Sequence, residues 1–252
     1  MDKNLNVVLD TDRVTDIVKR DYRTADIFQH YGIDFCCGGK LPLNVVCSNK
    51  DINLEELVTA LNEVSNPYSL SLAMAFNNWS VDFLLDFIIN IHHDYLRRTL
   101  PVLSTYIIEF EKGHGRKFPF IENLKSEFDE FNAVMLPKIQ EEEDIVFPYI
   151  RQIAHAYQNT EPYARLLVQT LRKPLETMML HNHELITYTF NEIRRLTDHY
   201  SLPSDSCTTQ LVLFKKLQEL DNDIFQHIYL ENNILYPRTI AMEKELLTQS
   251  GV

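Results

Sequence analysis

The apolar positions of this chain fall into two regimes. Over the first quarter they form short helical stripes: Val14, Ile17, Val18, Ile27 and Phe28 recur at helical spacing behind Thr11 or Asp12 as a cap, and Leu54, Leu57, Val58 and Leu61 form a second stripe. Between them lies Gly32-Ile33-Asp34-Phe35-Cys36-Cys37-Gly38-Gly39-Lys40, whose paired glycines exclude a helix interior. The stretch from Ser65-Asn66-Pro67 to Asn77-Asn78 is polar, carries a proline and lacks a long apolar period, which puts a domain boundary there. Beyond it the pattern lengthens into four amphipathic helices. Ser80 caps one that runs to about Glu111; a second covers roughly Ile121 to Tyr157, a third about Pro174 to Tyr200, and a fourth runs from near Ser206 to the C-terminus. Residues 158–173 add a short extra helix or connection. Pro174 suits a helix start, and Pro203-Ser204-Asp205-Ser206 stops one helix and caps the next. The expected fold is all-α: a small helical domain over residues 1–65, a linker over 66–79 and an up-down four-helix bundle over 80–252.

Composition agrees with this picture. Hydrophobic residues make up 45% of the 252 and only six are glycine, which suits helices with short connections better than a turn-rich sandwich or barrel. A formal charge of −12 argues against a grip on phosphate backbones or anionic lipid, since both need clustered Lys and Arg. Met1-Asp2-Lys3-Asn4 opens the chain without an apolar signal region, and no stretch approaches the roughly 18–20 apolar residues of a membrane span. The expectation is a soluble, cytoplasmic protein with neither nucleic acid nor membrane as partner. Four cysteines (Cys36, Cys37, Cys47 and Cys207) are too sparse for a disulfide scaffold, and two are adjacent, which leaves thiol chemistry or no special role.

A few polar residues stand on otherwise apolar stripes. In His227-Ile228-Tyr229-Leu230-Glu231 an imidazole and a carboxylate lie four residues apart on one helix face, together with Leu220, Ile224 and Leu235. Alone, such a pair reads as a histidine bonded to a glutamate. Three other helices repeat the anomaly: His93 lies with Ile89, Leu96 and Leu100, His183 with Met179, Leu180, Ile186 and Phe190, and Glu142 with Met135, Ile139, Ile145 and Val146. Depth in the bundle supplies a separate check. From His183 to about Tyr200 a helix rises ~26 Å, and the return from about Cys207 to His227 covers ~30 Å. From His93 to the turn near His114 is ~31 Å, and the return to Glu142 agrees once that turn is subtracted. Imidazoles and carboxylates from four inward faces, with no thiolate among them, suit non-haem iron, with manganese or zinc as competitors.

At these residues the sequence resembles the di-iron iron-sulfur cluster repair proteins, or Repair of Iron Centres family, over nearly its whole length. The most specific pieces are Asp34-Phe35-Cys36-Cys37-Gly38-Gly39-Lys40 and His227-Ile228-Tyr229-Leu230-Glu231-Asn232-Asn233-Ile234-Leu235-Tyr236-Pro237-Arg238. Weaker matches are His93-Asp94 with Leu100-Pro101, Glu142 to Pro148, and His183-Glu184. The resemblance implies a hemerythrin-like bundle behind a small N-terminal domain, with His93, His183 and His227 as terminal ligands of iron and Glu142 and Glu231 as bridging carboxylates. It implies repair of iron-sulfur clusters damaged by nitrosative or oxidative stress, the iron acting as a source of metal or as a redox centre. Damaged iron-sulfur proteins and nitric oxide or oxygen are the implied partners, and a homodimer the implied assembly. For Cys36 and Cys37 it implies a thiol role, against the alternative of a tight turn with incidental thiols. The alternative function is a hemerythrin-like sensor or carrier of nitric oxide or oxygen that signals through its first domain.

One family position departs. Four residues before Glu142, where the family carries histidine, this chain has Lys138, preceded by Pro137. A protonated lysine is no ligand. Three outcomes stand open: an iron with an extra water or open position, a single metal, or a Lys138–Glu142 pair with poor occupancy. His114 and His155 are too distant along their helices to replace the lost ligand, and His92, about 100° around the helix from His93, is the sole nearby substitute.

Overall fold

The computed structural model describes residues 8–35, 39–64, 76–171 and 183–248, with backbone only at 170, 171, 183 and 184. Every described element is helical, and the one β-contact among the described residues is an isolated antiparallel bridge between Arg13 and Pro42. No described helix is long and apolar enough to cross a membrane. The chain divides into two compact units: Met1–Leu72 with Tyr200–Gln218, and Ala73–His199 with Glu219–Val252.

The first unit contains four short helices, α1 (Val14–Arg20), α2 (Thr24–His30), α3 (Leu43–Lys50) and α4 (Leu54–Val64). The single stripe expected over residues 14–28 is broken at Asp21, whose carboxylate accepts from the Arg23 backbone N–H and guanidinium and so turns the chain between α1 and α2. Helix α3 carries only Val46 and Cys47 as internal buried residues behind Leu43, too short a stripe to announce itself in the sequence. Val14, Ile17, Val18, Ala25, Phe28, Leu43, Leu57 and Leu61 are buried to form the core. Cys47 is buried with them, which pushes its thiol pKa up, and Cys207 is half-buried.

Cys36 and Cys37, with Gly38, lie outside the described residues, but both flanks of this segment are tied to α1. The Thr15 N–H donates to the Gly39 carbonyl (2.9 Å) and its hydroxyl to the Phe35 carbonyl (3.2 Å). A Cβ on Gly39 would collide with the Thr15 hydroxyl and the Phe35 carbonyl, so the close approach itself demands glycine here.

The second unit is built on long rods. Helix α5 runs Val81–Phe87, passes through a π turn at Ile88–His93 and continues as Asp94–His114; Ser80 caps it by accepting from the Phe83 N–H at 3.2 Å, as expected. Helix α6 runs Phe120–Glu141, a π turn at Glu142–Val146, then Phe147–Gln158. Helix α7 is Ala164–Leu171 and α8 is His183–Leu196. Helix α9 runs Thr208–Leu230, a π turn at Glu231–Leu235, then Tyr236–Thr248, its residues from Glu219 onward belonging to this unit. Residues flanking all three π turns keep αR backbone angles, so each rod is uninterrupted. Helix α6 packs against α5 and α8 along its first part and against α7 and the end of α9 along its last. The proposed start of the third helix at Pro174 and most of the linker over 66–79 lie outside the described residues.

Candidate metal centre

All three π turns among the described residues fall where a polar residue is buried. A π turn closes i→i+5 hydrogen bonds and holds one residue more than an α turn, which rotates adjacent side chains toward one interior. In α5 this buries both His92 and His93; in α6 it buries Glu142 and Val146 and turns Ile145, expected inward, out to 54% exposure. In α9 it buries Glu231, Ile234, Leu235 and then Tyr236.

His93, Glu142, His227 and Glu231 meet here, each offering one ligand atom, all within 4.8 Å of one another. His93 and His227 point their Nε2 atoms at each other across 3.3 Å. Glu142 Oε2 lies 3.5 Å from His93 Nε2, and Glu231 Oε1 lies 3.0 Å from His227 Nε2. His93, His227 and Glu231 are fully buried and Glu142 nearly so. Four of the five expected ligands therefore converge; the side chain of the fifth, His183, lies outside the described residues, though its backbone opens α8.

These groups fit a metal ion. Separations of 3.0–3.5 Å are those of neighbouring donors around one ion with bonds of about 2.1 Å. Glu142 Oε2 and His227 Nδ1 are buried without a hydrogen-bond partner among the described residues, a cost that coordination by the carboxylate would remove in the first case. His93 is pre-oriented. Its Nδ1 lies 2.7 Å from Glu143 Oε1, and because a carboxylate only accepts, Nδ1 is the donor of that bond and Nε2 is the nitrogen turned to the site. Arg97 holds the same Glu143 oxygen at 2.8 Å, and Phe147 stacks on the His93 ring with centroids 5.5 Å apart.

Lys138 projects into the same interior, 6% exposed. Its Nζ donates to Glu142 Oε1 and, at 3.1 Å, to Glu231 Oε2. Burial pulls its pKa down, but the Glu231 and Glu142 carboxylates outweigh that and hold it above the ordinary lysine value, so the side chain is an ammonium. Tyr236 donates to Glu142 Oε1 at 3.2 Å; burial first, and then the two carboxylates, push its pKa well up. Burial pulls His227 down, keeping its ring neutral and able to ligate.

The structure corrects one reading made from sequence and brings in two residues that the sequence did not assign to the site. His92 does not replace a ligand: its Nδ1 lies 2.8 Å from Asp223 Oδ1 and its ring stacks on His227 at 5.6 Å. Glu143 belongs to the site through His93. Tyr236, five residues beyond Glu231, falls about 140° away by α-helical counting and reaches the site because a π turn intervenes.

Residues 10–65 match a family described as ScdA_N, a domain of unknown function (DUF542). The chain is 30% identical over 229 residues to the iron-sulfur cluster repair protein ScdA of Staphylococcus epidermidis, covering 90% of this chain and 97% of that protein. It is 30% identical over 222 residues to the iron-sulfur cluster repair protein YtfE of Edwardsiella ictaluri, covering 87% and 92%, and 27% identical over 223 residues to ScdA of Staphylococcus haemolyticus, covering 88% and 95%. With similarity of this extent to proteins carrying that description, the chain belongs to the iron-sulfur cluster repair protein family.

Proposed function

We propose that this chain is a cytoplasmic non-haem iron protein that restores damaged iron-sulfur clusters, holding iron through His93, His227, Glu142, Glu231 and His183. The observation that carries the reading is the buried group of two imidazoles and two carboxylates inside a chain that aligns almost end to end with cluster repair proteins. Damaged iron-sulfur proteins are its targets, nitric oxide or oxygen its small-molecule ligands and a homodimer its assembly. Cys36 and Cys37 supply thiol contact with a damaged cluster or partner. The relatives' descriptions favour repair over the sensor alternative.

Bound here, iron supplies redox and Lewis-acid chemistry. The chain's own residues prepare that position. Glu143 fixes the proton of His93 on Nδ1, burial keeps His227 neutral, and Tyr236 holds its proton at the hydroxyl against Glu142. Full burial of His93, His227 and Glu231 excludes water and supports retention of the metal, hence a redox centre over an iron source.

The test is recovery of a [4Fe–4S] enzyme inactivated by nitric oxide. Iron-containing protein should restore its activity, His227→Ala should not, and iron isotopically labelled in the repair protein should stay there. Iron-free protein, or no recovery, would overturn the reading.

A further inference from the structure

Each carboxylate at the centre is used twice. Glu142 turns Oε2 toward His93 and Oε1 toward Lys138; Glu231 turns Oε1 toward His227 and Oε2 toward Lys138. Two carboxylates arranged this way bridge two positions. One is bounded by the imidazole nitrogens of His93 and His227, donors with lone pairs. The other is filled by Nζ of Lys138.

We propose that Lys138 is a built-in cation standing where a second metal ion would be bridged, so that the centre holds one metal, on the His93–His227 side. This rests on the reading of the site as an iron centre. The chemistry of the groups supports it. An ammonium has three N–H donors and no lone pair, so it competes with a metal for carboxylate oxygens instead of joining it as a ligand. Its two bonds go to different glutamates, which is the bridging pattern, not the pairing of a lysine with one neighbour along its own helix. Tyr236 adds a second donor on the Glu142 oxygen that faces Lys138, so the lysine side is furnished with hydrogen-bond donors and the histidine side with acceptors. Lys138 is also anchored: it follows Pro137 within α6, one turn before Glu142, and is almost wholly buried. One ammonium against two carboxylates leaves a single negative charge for the metal to meet, so a divalent ion overcompensates by one and a second would add two more like charges beside Nζ. The consequence for function is one-electron chemistry at a mononuclear iron, with both carboxylates kept in place by the lysine.

The experiment is iron content per chain in protein isolated without oxygen, with the EPR spectrum of its oxidised form. One iron per chain, with a high-spin ferric signal integrating to about one spin, is expected. Two irons with an EPR-silent coupled pair would overturn this inference and leave the iron reading intact; no iron would overturn the iron reading and this inference with it. In Lys138→His, checked for native helical content by circular dichroism, iron should double and the ferric signal vanish through coupling. A folded variant that stays at one iron would show that Lys138 is not what excludes the second metal.

Discussion

His93 is held by Glu143, the residue that follows its neighbour in the site, Glu142, so one helical turn supplies both a carboxylate at the centre and the group that aims an imidazole into it. The pairing makes Glu143 a positioning residue. Glu143→Ala should weaken metal binding by about 10–100-fold while leaving the fold intact. Metal titration followed by circular dichroism checks this, and unchanged affinity would mean that Phe147 stacking alone orients the ring.

Tyr236→Phe removes a buried donor to the Glu142 carboxylate without changing shape. It should cost about 1–2 kcal/mol in urea unfolding of the metal-free protein, the range for a bond to a charged acceptor partly compensated by a neighbour. Metal content should stay as in the parent.

Ser80 is the only side-chain cap described at the start of α5, and its loss exposes the Phe83 N–H. Ser80→Ala should lower stability by about 1 kcal/mol with no change in metal content, read from the same unfolding curves.

Gly39→Ala should destabilise the first unit by about 1–3 kcal/mol, because the added methyl group meets backbone at Phe35 and the Thr15 hydroxyl at once. Proteolysis or hydrogen exchange within residues 10–64 should report the change while metal binding persists.

Stability should also fall in alkali. Tyr149 donates to Glu243 inside the bundle, and burial together with that carboxylate raises its pKa above the ordinary 10.0. A raised folded pKa gives a contribution that is complete below the unfolded value and is lost as pH rises from about 10 through the folded value. Tyr236 and Lys138 are shifted in the same direction and add to the slope. Tyr149→Phe should therefore flatten the decline in urea midpoint above about pH 10, and an unchanged slope would assign it to the other two groups.

The sequence made the rods legible, because Leu96, Leu100, Met135, Ile139, Ile186, Phe190, Leu220 and Ile224 obey helical spacing and are buried as expected. It also brought His93, Glu142, His227 and Glu231 to one level, since counting rise per residue tolerates a small change in winding. Direction around the axis is less forgiving. Ile145 went outward and His92, Glu143 and Tyr236 came inward at turns where winding changes, and hydropathy carries no mark of such a change. The partner of Lys138 was half legible: Glu142 is its i+4 neighbour, but Glu231 lies on another rod, 93 positions away, and only folding joins them.

The three π turns give this bundle a price in stability that a simple edit would recover. Each is a one-residue surplus in a helix that would otherwise close better-formed hydrogen bonds. Deleting one residue from Ile88–His93, Glu142–Val146 or Glu231–Leu235 would restore regular winding and keep the helix beyond in phase, yet it would take from that turn one of the side chains it now directs inward. The surplus residue is thus what lets neighbouring positions of one rod, such as His92 and His93, face the same interior, and the centre depends on the winding of its helices as much as on the identity of its side chains.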